Sequence, residues 1–103
     1  MTPSELRAGL AGIRRLASLG DGWDSYGAAR ISPEAIEAAQ RGLVEISDLP
    51  KPWIVPSPEG GVVFTYESDS DDATMHIEYD VNGELQVLVW ADDEPVDQEP
   101  AEL

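Results

Sequence analysis

Two short stretches hold the residue types from which a metal or catalytic site is built. The first is the acidic run ESDSDD at positions 67–72, in which Asp69 and Asp71 alternate as calcium ligands do. A calcium-binding loop also needs a further oxygen ligand and a glycine, where this sequence has Ala73 and Thr74. The run therefore indicates a solvated acidic turn, and we expect no metal there.

The second stretch contains His76, the one histidine of the chain, which alternates with Glu78 and Asp80 along a predicted strand. These residues are too few to form a zinc site. The absence of cysteine excludes disulfides, thiolate metal sites and cysteine nucleophiles, and no glycine-rich phosphate loop opens a helix. We therefore expect a protein that is not an enzyme and that uses no cofactor.

Charge is distributed very unevenly along the chain. Residues 1–58 carry seven acidic and six basic side chains, whereas residues 59–103 carry fourteen acidic ones and no Lys or Arg. The acidic residues 59–103 are expected to repel nucleic acid and anionic membranes and to attract basic proteins. The alternative is that the acidity serves only solubility or reflects a high-salt or compositionally biased source.

The elements that must position these residues follow from capping signals and periodicity. Thr2-Pro3-Ser4-Glu5 predicts a capped helix that continues to Gly20, and Ser32-Pro33 predicts a second helix that ends before Pro50. Both helices carry an apolar stripe and need a surface to pack on. Four prolines limit residues 50–58 to an edge strand, and residues 62–66 read as a second strand.

A hairpin closes at Asn82-Gly83, and its register decides which side chains share a face. A two-residue turn would pair Tyr79 with Gln86, whereas a three-residue loop 81–83 pairs it with Leu85 and gathers the apolar residues on one face. We predict the three-residue loop. The outer face of the sheet then carries Leu88 and Trp90.

These elements predict an α+β fold with two helices packed on one face of a three- or four-stranded antiparallel sheet. Residues 1–90 form the single domain, and the acidic segment 91–103 is expected to be a disordered tail. No apolar run reaches the roughly 20 residues that span a bilayer, and the N-terminus does not read as a signal peptide. We expect a soluble cytoplasmic protein.

The connection between the helices reads GWDSYGA at residues 22–28 and is followed by ISP at 31–33. Together with the prolines at 52 and 56 and the glycine pair at 60–61, it resembles an uncharacterised family of small bacterial and phage proteins. The resemblance covers residues 16–80 and implies a small helix-plus-sheet module, without an activity. The sequence departs from the family at Tyr66, where relatives often have Trp, and in its acidic tail.

Trp23 and Tyr26 in this connection admit two interpretations. They are aromatic anchors for a partner, or Trp23 closes one end of the core while neighbouring polar groups satisfy the turn.

The sequence predicts a non-enzymatic acidic protein that neutralises a basic partner, either a toxin, a nuclease or another nucleic-acid-binding enzyme. It would act as an antitoxin, an immunity protein or a phage inhibitor, with nucleic-acid mimicry as one route. The alternative is a structural or assembly subunit that homodimerises through the sheet. The predicted partner-binding residues lie on the outer sheet face, in the acidic turn and in the helix connection: Glu78, Asp80, Asp69, Asp71, Asp72, Leu88, Trp90, Trp23 and Tyr26.

Overall fold

The computed structural model describes residues 1–23, 27–67, 73–91 and 94–95. Its elements follow one another as helices α1 (Pro3–Leu16) and α2 (Pro33–Glu45) and then strands β1 (Trp53–Pro56), β2 (Val62–Glu67), β3 (Ala73–Tyr79), β4 (Leu85–Ala91) and β5 (Glu94–Pro95). The strands form one antiparallel sheet in sequential order. The predicted α+β fold is confirmed. Neither described helix is long and apolar enough to cross a membrane.

Each helix begins at the predicted cap. The Glu5 backbone N–H donates to the Thr2 hydroxyl at 3.0 Å, and the Thr2 N–H donates to the Glu5 carboxylate at 2.7 Å. This reciprocal bond lowers the pKa of Glu5 because it favours the ionised carboxylate. Ser32 caps α2 by accepting from the Ala35 N–H at 3.0 Å. Helix α1 ends at Leu16, earlier than the predicted stop at Gly20, because residues 17–19 tighten into turns with i−3 hydrogen bonds.

The two helices cover one face of β1, β2 and β3, with α1 against β1 and α2 against β2 and β3. Phe64 lies at the centre of the core and contacts the Tyr79 ring edge-on at a centroid distance of 5.5 Å. The largest fully buried side chains are Phe64, Ile13, Leu43 and Val62. Strand β4 lies beyond the helices, so the described residues cover its inner face only in part, with Leu85 and Val87 exposed.

Two hairpins of the same kind close the sheet at one end. Loop 58–60 joins β1 to β2 and loop 81–83 joins β3 to β4, and each ends in a glycine with positive φ, Gly60 at 98° and Gly83 at 80°. The register that pairs Tyr79 with Leu85 and Ile77 with Val87 confirms the predicted three-residue loop. In both hairpins the glycine N–H donates to the carbonyl three residues earlier.

The start of the predicted tail differs from the structure. Strand β4 continues through Ala91, and β5 pairs Glu94 with Ala91 and Pro95 with Trp90. The backbone of this short stretch therefore pairs with β4, which the acidic composition of the segment did not indicate. The remainder of the predicted tail, residues 92–93 and 96–103, lies outside the described residues.

Candidate partner-binding surface

The face of the sheet turned away from the helices, called here the outer face, has no covering layer among the described residues. The register aligns Trp53, Thr65, His76 and Leu88 across four strands. Trp53 is 72% exposed and Leu88 is 43% exposed. These two exposed apolar side chains lie at the two ends of the row, with Thr65 and His76 between them.

Glu78 lies in the next row of the outer face, between Val63 and Gln86, as the strand alternation predicted. Asp80 lies just after β3 and pairs with Glu84 across the base of loop 81–83. Its Oδ1 atom accepts hydrogen bonds from the backbone N–H groups of Asn82 and Glu84, both at 2.9 Å, and its Oδ2 accepts from Gln86 at 3.3 Å. Asp80 therefore stabilises the hairpin, as Asp residues do in tight turns.

Trp23 forms a hydrogen bond within the helix connection, and both interpretations of this residue stay predictions. Its indole N–H donates to the Ala29 carbonyl at 3.0 Å, and the Gly22 N–H donates to the Ala28 carbonyl at 2.7 Å. These bonds bring residues 22–23 and 28–29, on either side of the undescribed residues 24–26, into contact, and Trp23 is partly buried. Tyr26, the other predicted aromatic contact, lies outside the described residues.

Of the remaining predicted contacts, Leu88 lies on the outer face, and the backbone of Trp90 in β4 pairs with Thr74 in β3. Asp69, Asp71 and Asp72 lie outside the described residues. Their segment leaves β2 at Glu67 and enters β3 at Ala73, so both of its described flanks lie at the sheet end opposite the two glycine hairpins.

Charge is segregated between the two layers. All six basic side chains belong to the helices and to the connections before β1: Arg7, Arg14, Arg15, Arg30, Arg41 and Lys51. Within the described strands β1–β5 there is no Lys or Arg. The described acidic residues of the C-terminal half lie mostly near strand ends and in loops: Glu59, Glu67, Asp80, Glu84 and Glu94.

The partly covered inner face of β4 is a feature that the sequence reasoning missed. A groove of about 350 Å³ runs between α2 and β4, with Gly42 and Ile46 on the helix side and Leu85 and Val87 on the strand side. The alternation of apolar residues in β4 predicts that one face of the strand points toward the helices. It does not reveal that the two helices lie over β1, β2 and β3 and do not reach across β4.

Tyr79 forms the floor of this groove. Burial raises its pKa, and the nearby Glu45 carboxylate raises it further. Because the folded-state pKa lies above the unfolded value of 10.0, this group favours the folded state below pH 10. That contribution is lost as the pH rises through the folded-state pKa.

The described residues contain no group of three or more His, Asp or Glu side chains placed to hold a metal ion. Comparisons of the chain with protein-family models, with curated proteins and with solved structures gave no match. The family resemblance therefore stays a prediction, and the function must be argued from the surface itself.

Proposed function

We propose that this protein is a non-enzymatic binding protein that neutralises a basic protein partner, such as a toxin, a nuclease or another nucleic-acid-handling enzyme. The observation that carries the proposal is the segregation of charge. The described strands combine exposed apolar side chains with acidic groups and with no Lys or Arg, whereas the basic residues lie in the helical part of the chain.

Such a surface has two complementary functions in binding. Acidic groups near the strand ends attract a basic partner and accelerate its encounter. Exposed apolar side chains, chiefly Trp53 and Leu88, then supply area that is buried in the complex. Charge selects the class of partner, and apolar contact holds it.

Mimicry of nucleic acid is less well supported by the sheet face itself. Alternate residues along a strand repeat at about 6.6 Å, whereas duplex DNA carries a charge about every 1.7 Å along its axis. Glu78 is the one acidic side chain in the middle rows of the outer face. A protein of this shape would therefore occupy a basic cleft with its acidic strand ends rather than with a regular array of carboxylates.

The test is the association rate with a basic partner isolated by cross-linking and mass spectrometry. Glu78→Lys reverses a charge on the outer face, and Asp48→Lys makes the same change in net charge after α2. We expect the first variant to slow association severalfold and the second to change it little. Equal effects of the two variants, or a captured partner that is itself acidic, would contradict the proposal.

Homodimerisation through the sheet is a second candidate function, and the partly covered β4 is the observation that favours it. A measurement of molecular mass in solution distinguishes homodimerisation from binding of a basic partner. A dimer that persists at both low and high salt supports a structural subunit, whereas a monomer supports the binding protein.

A further inference from the structure

A cleft between α1 and β1, called here the α1–β1 cleft, combines two cationic side chains with an exposed aromatic ring. The space beside the helix has a volume of about 210 Å³, and its lining includes Gly12 and Arg15 from α1. A second space of about 260 Å³ lies next to it, and Lys51, Pro52 and Trp53 line both. All of these residues are described, and none borders an undescribed segment in sequence.

The two cations of the cleft, Arg15 and Lys51, belong to a strongly acidic chain with few basic side chains. The one ion pair between described side chains lies elsewhere, on α2. The pKa of Glu5 is lowered chiefly by its bond with the Thr2 backbone and to a smaller extent by the charge of Lys51, so this acid is already engaged in the helix cap. Among the described residues, therefore, no acidic side chain forms an ion pair with either cation, and both are available to an anionic group.

Gly12 leaves part of the cleft wall without a side chain, and packing does not require this glycine. Gly9 and Gly42 also lie in helices, but a Cβ atom at either would collide with a neighbour, at Gly9 with Leu43 at 2.7 Å. A Cβ at Gly12 would meet the end of the Arg15 side chain at 3.7 Å, which is an ordinary contact. A glycine inside a helix lowers stability relative to alanine, and no described neighbour accounts for this one. It opens the helix backbone to close approach by a ligand next to the Arg15 guanidinium.

Trp53 gives the cleft a flat apolar surface. Its side chain is 72% exposed, whereas tryptophan in folded proteins is on average highly buried. An indole at this exposure can stack on a planar ring, and stacking between a nucleic acid base and an aromatic side chain strengthens binding about fivefold or more. Two cations beside such a surface match a ligand that joins a planar ring to a phosphate.

The edge of β1 disfavours an extended peptide as the ligand. The Ser57 N–H donates to the Gly61 carbonyl at 2.9 Å, and hydrogen-bonded pairs alternate along an antiparallel ladder, so the outward positions of β1 and the residue before it are Pro52, Ile54 and Pro56. Two of these three are prolines, which have no N–H to donate. A peptide strand therefore cannot pair along this edge. The one outward N–H, that of Ile54 in the lining of the cleft, suits a phosphate oxygen.

We propose that the α1–β1 cleft binds a free nucleoside monophosphate. The phosphate lies between Arg15 and Lys51, near the Ile54 N–H, and the base stacks on Trp53. The end of a nucleic acid strand carries the same chemistry, but each further phosphate is repelled by a chain with a formal charge of −15. This inference goes beyond the proposed function and does not depend on it.

The probe is adenosine monophosphate (AMP), titrated into the isotope-labelled full chain at physiological ionic strength. NMR follows the indole N–H of Trp53 and the backbone N–H groups of Gly12 and Ile54, all of which should shift. Ribose phosphate lacks the base and should bind at least about fivefold more weakly than AMP. Adenosine lacks the phosphate and should bind at least about tenfold more weakly. In Trp53→Leu the advantage of AMP over ribose phosphate should disappear.

The matched protein variants are Arg15→Gln and Arg14→Gln. Both remove one positive charge from the last turn of α1, but only Arg15 lines the cleft. We expect Arg15→Gln to weaken AMP binding about tenfold and Arg14→Gln less than about threefold. Gly12→Ala should weaken binding severalfold while it stabilises the fold, so unfolding cannot explain the loss. Gly20→Ala, where nothing lies within 4 Å of the new Cβ, should leave binding unchanged.

Several outcomes overturn the inference. Absence of shifts with millimolar AMP leaves no site, and equal binding of AMP and ribose phosphate, or equal losses in the two arginine variants, means an adventitious ion only. A phosphorylated trinucleotide that binds more tightly than AMP would assign the cleft to the end of a strand, and an acidic peptide that does so would assign it to a protein. Trp53 is shared with the outer face but Arg15 is not, so Arg15→Gln should not slow association with a basic partner, and the two proposals fail separately.

Discussion

Gly42 and Tyr79 show how one residue without a side chain positions another. Tyr79 passes so close to α2 that a Cβ atom at Gly42 would collide with the tyrosine hydroxyl and ring. A glycine in a helix lowers helix propensity by about 1 kcal/mol relative to alanine, so the sequence alone indicates a weak point there. The structure shows that this glycine is required by a neighbour from another layer.

We expect Gly42→Ala to lower the free energy of unfolding by about 1–3 kcal/mol, because the Tyr79 ring must leave its position against α2 and its edge-on contact with Phe64. The matched control is Gly12→Ala in α1, where the nearest atom to the new Cβ is the end of the Arg15 side chain at 3.7 Å. This control should raise stability by about 0.5–1 kcal/mol through helix propensity. Urea unfolding measures both changes, and a stabilising Gly42→Ala would show that the contact is unimportant.

Asp80 shows what strand alternation alone does not reveal about a single residue. Its place after alternating strand residues predicts an outward carboxylate for a partner, and the structure adds that both of its oxygens accept hydrogen bonds within the hairpin. Loop residues of this kind satisfy backbone donors that the hairpin leaves open. Tests of its charge should therefore use Asp80→Asn, which keeps an acceptor oxygen, rather than a reversal to Lys.

At the scale of elements, Ser32 joins the start of α2 to both hairpins. Its hydroxyl donates to the Val81 carbonyl at 2.6 Å while accepting from the Ala35 N–H. Its backbone N–H donates to the Gly60 carbonyl at 3.0 Å. One residue thus fixes where the helix begins relative to the glycine end of the sheet.

Ser32→Ala should cost more stability than loss of a helix cap alone, about 1.5–3 kcal/mol, because it removes the cap and also leaves the Val81 carbonyl without this donor. Thr2→Ala provides the comparison, since Thr2 caps α1 without bonding to another element; a cost of about 1 kcal/mol is expected. The difference between the two variants in urea unfolding is the measurement. Equal losses would show that the bond to Val81 contributes nothing.

The elements were predictable where local signals decide them. Caps, the hairpin register and the proline-rich edge strand depend on residues that are close in sequence, and all three predictions are confirmed. The coverage of the sheet was not predictable, because it depends on how α1 and α2 lie across the strands. The groove over β4 and the pairing of β5 also depend on how distant elements pack, and neither was predicted.

At the scale of the whole molecule, like charges oppose the compact state. The formal charge is −15, and the one ion pair between described side chains joins Arg41 to Glu37 on the exposed face of α2. Such a pair contributes little to stability. We therefore expect repulsion among the carboxylates to lower the stability of the fold at low salt.

Raising sodium chloride from about 0.02 to about 0.5 M should increase the melting temperature by several degrees, because the Debye length shortens severalfold. A variant with Glu59, Glu67 and Glu84 changed to Gln should start at a higher melting temperature and respond less to salt. Calorimetry or circular dichroism measures the trend. A melting temperature that falls with added salt would mean that ion pairs stabilise the fold.

The prolines at the outer positions of β1 also limit how far this protein can polymerise. A fibre made of sheets joined side by side needs two accepting margins on every molecule, so that each new unit offers a site for the next. Among the described strands there is one such margin, the edge of β4. If two molecules pair through their β4 edges, neither keeps a β4 edge that could bind a third molecule. The strand at each end of the joined sheet is then β1 with its prolines, so no further molecule can be added.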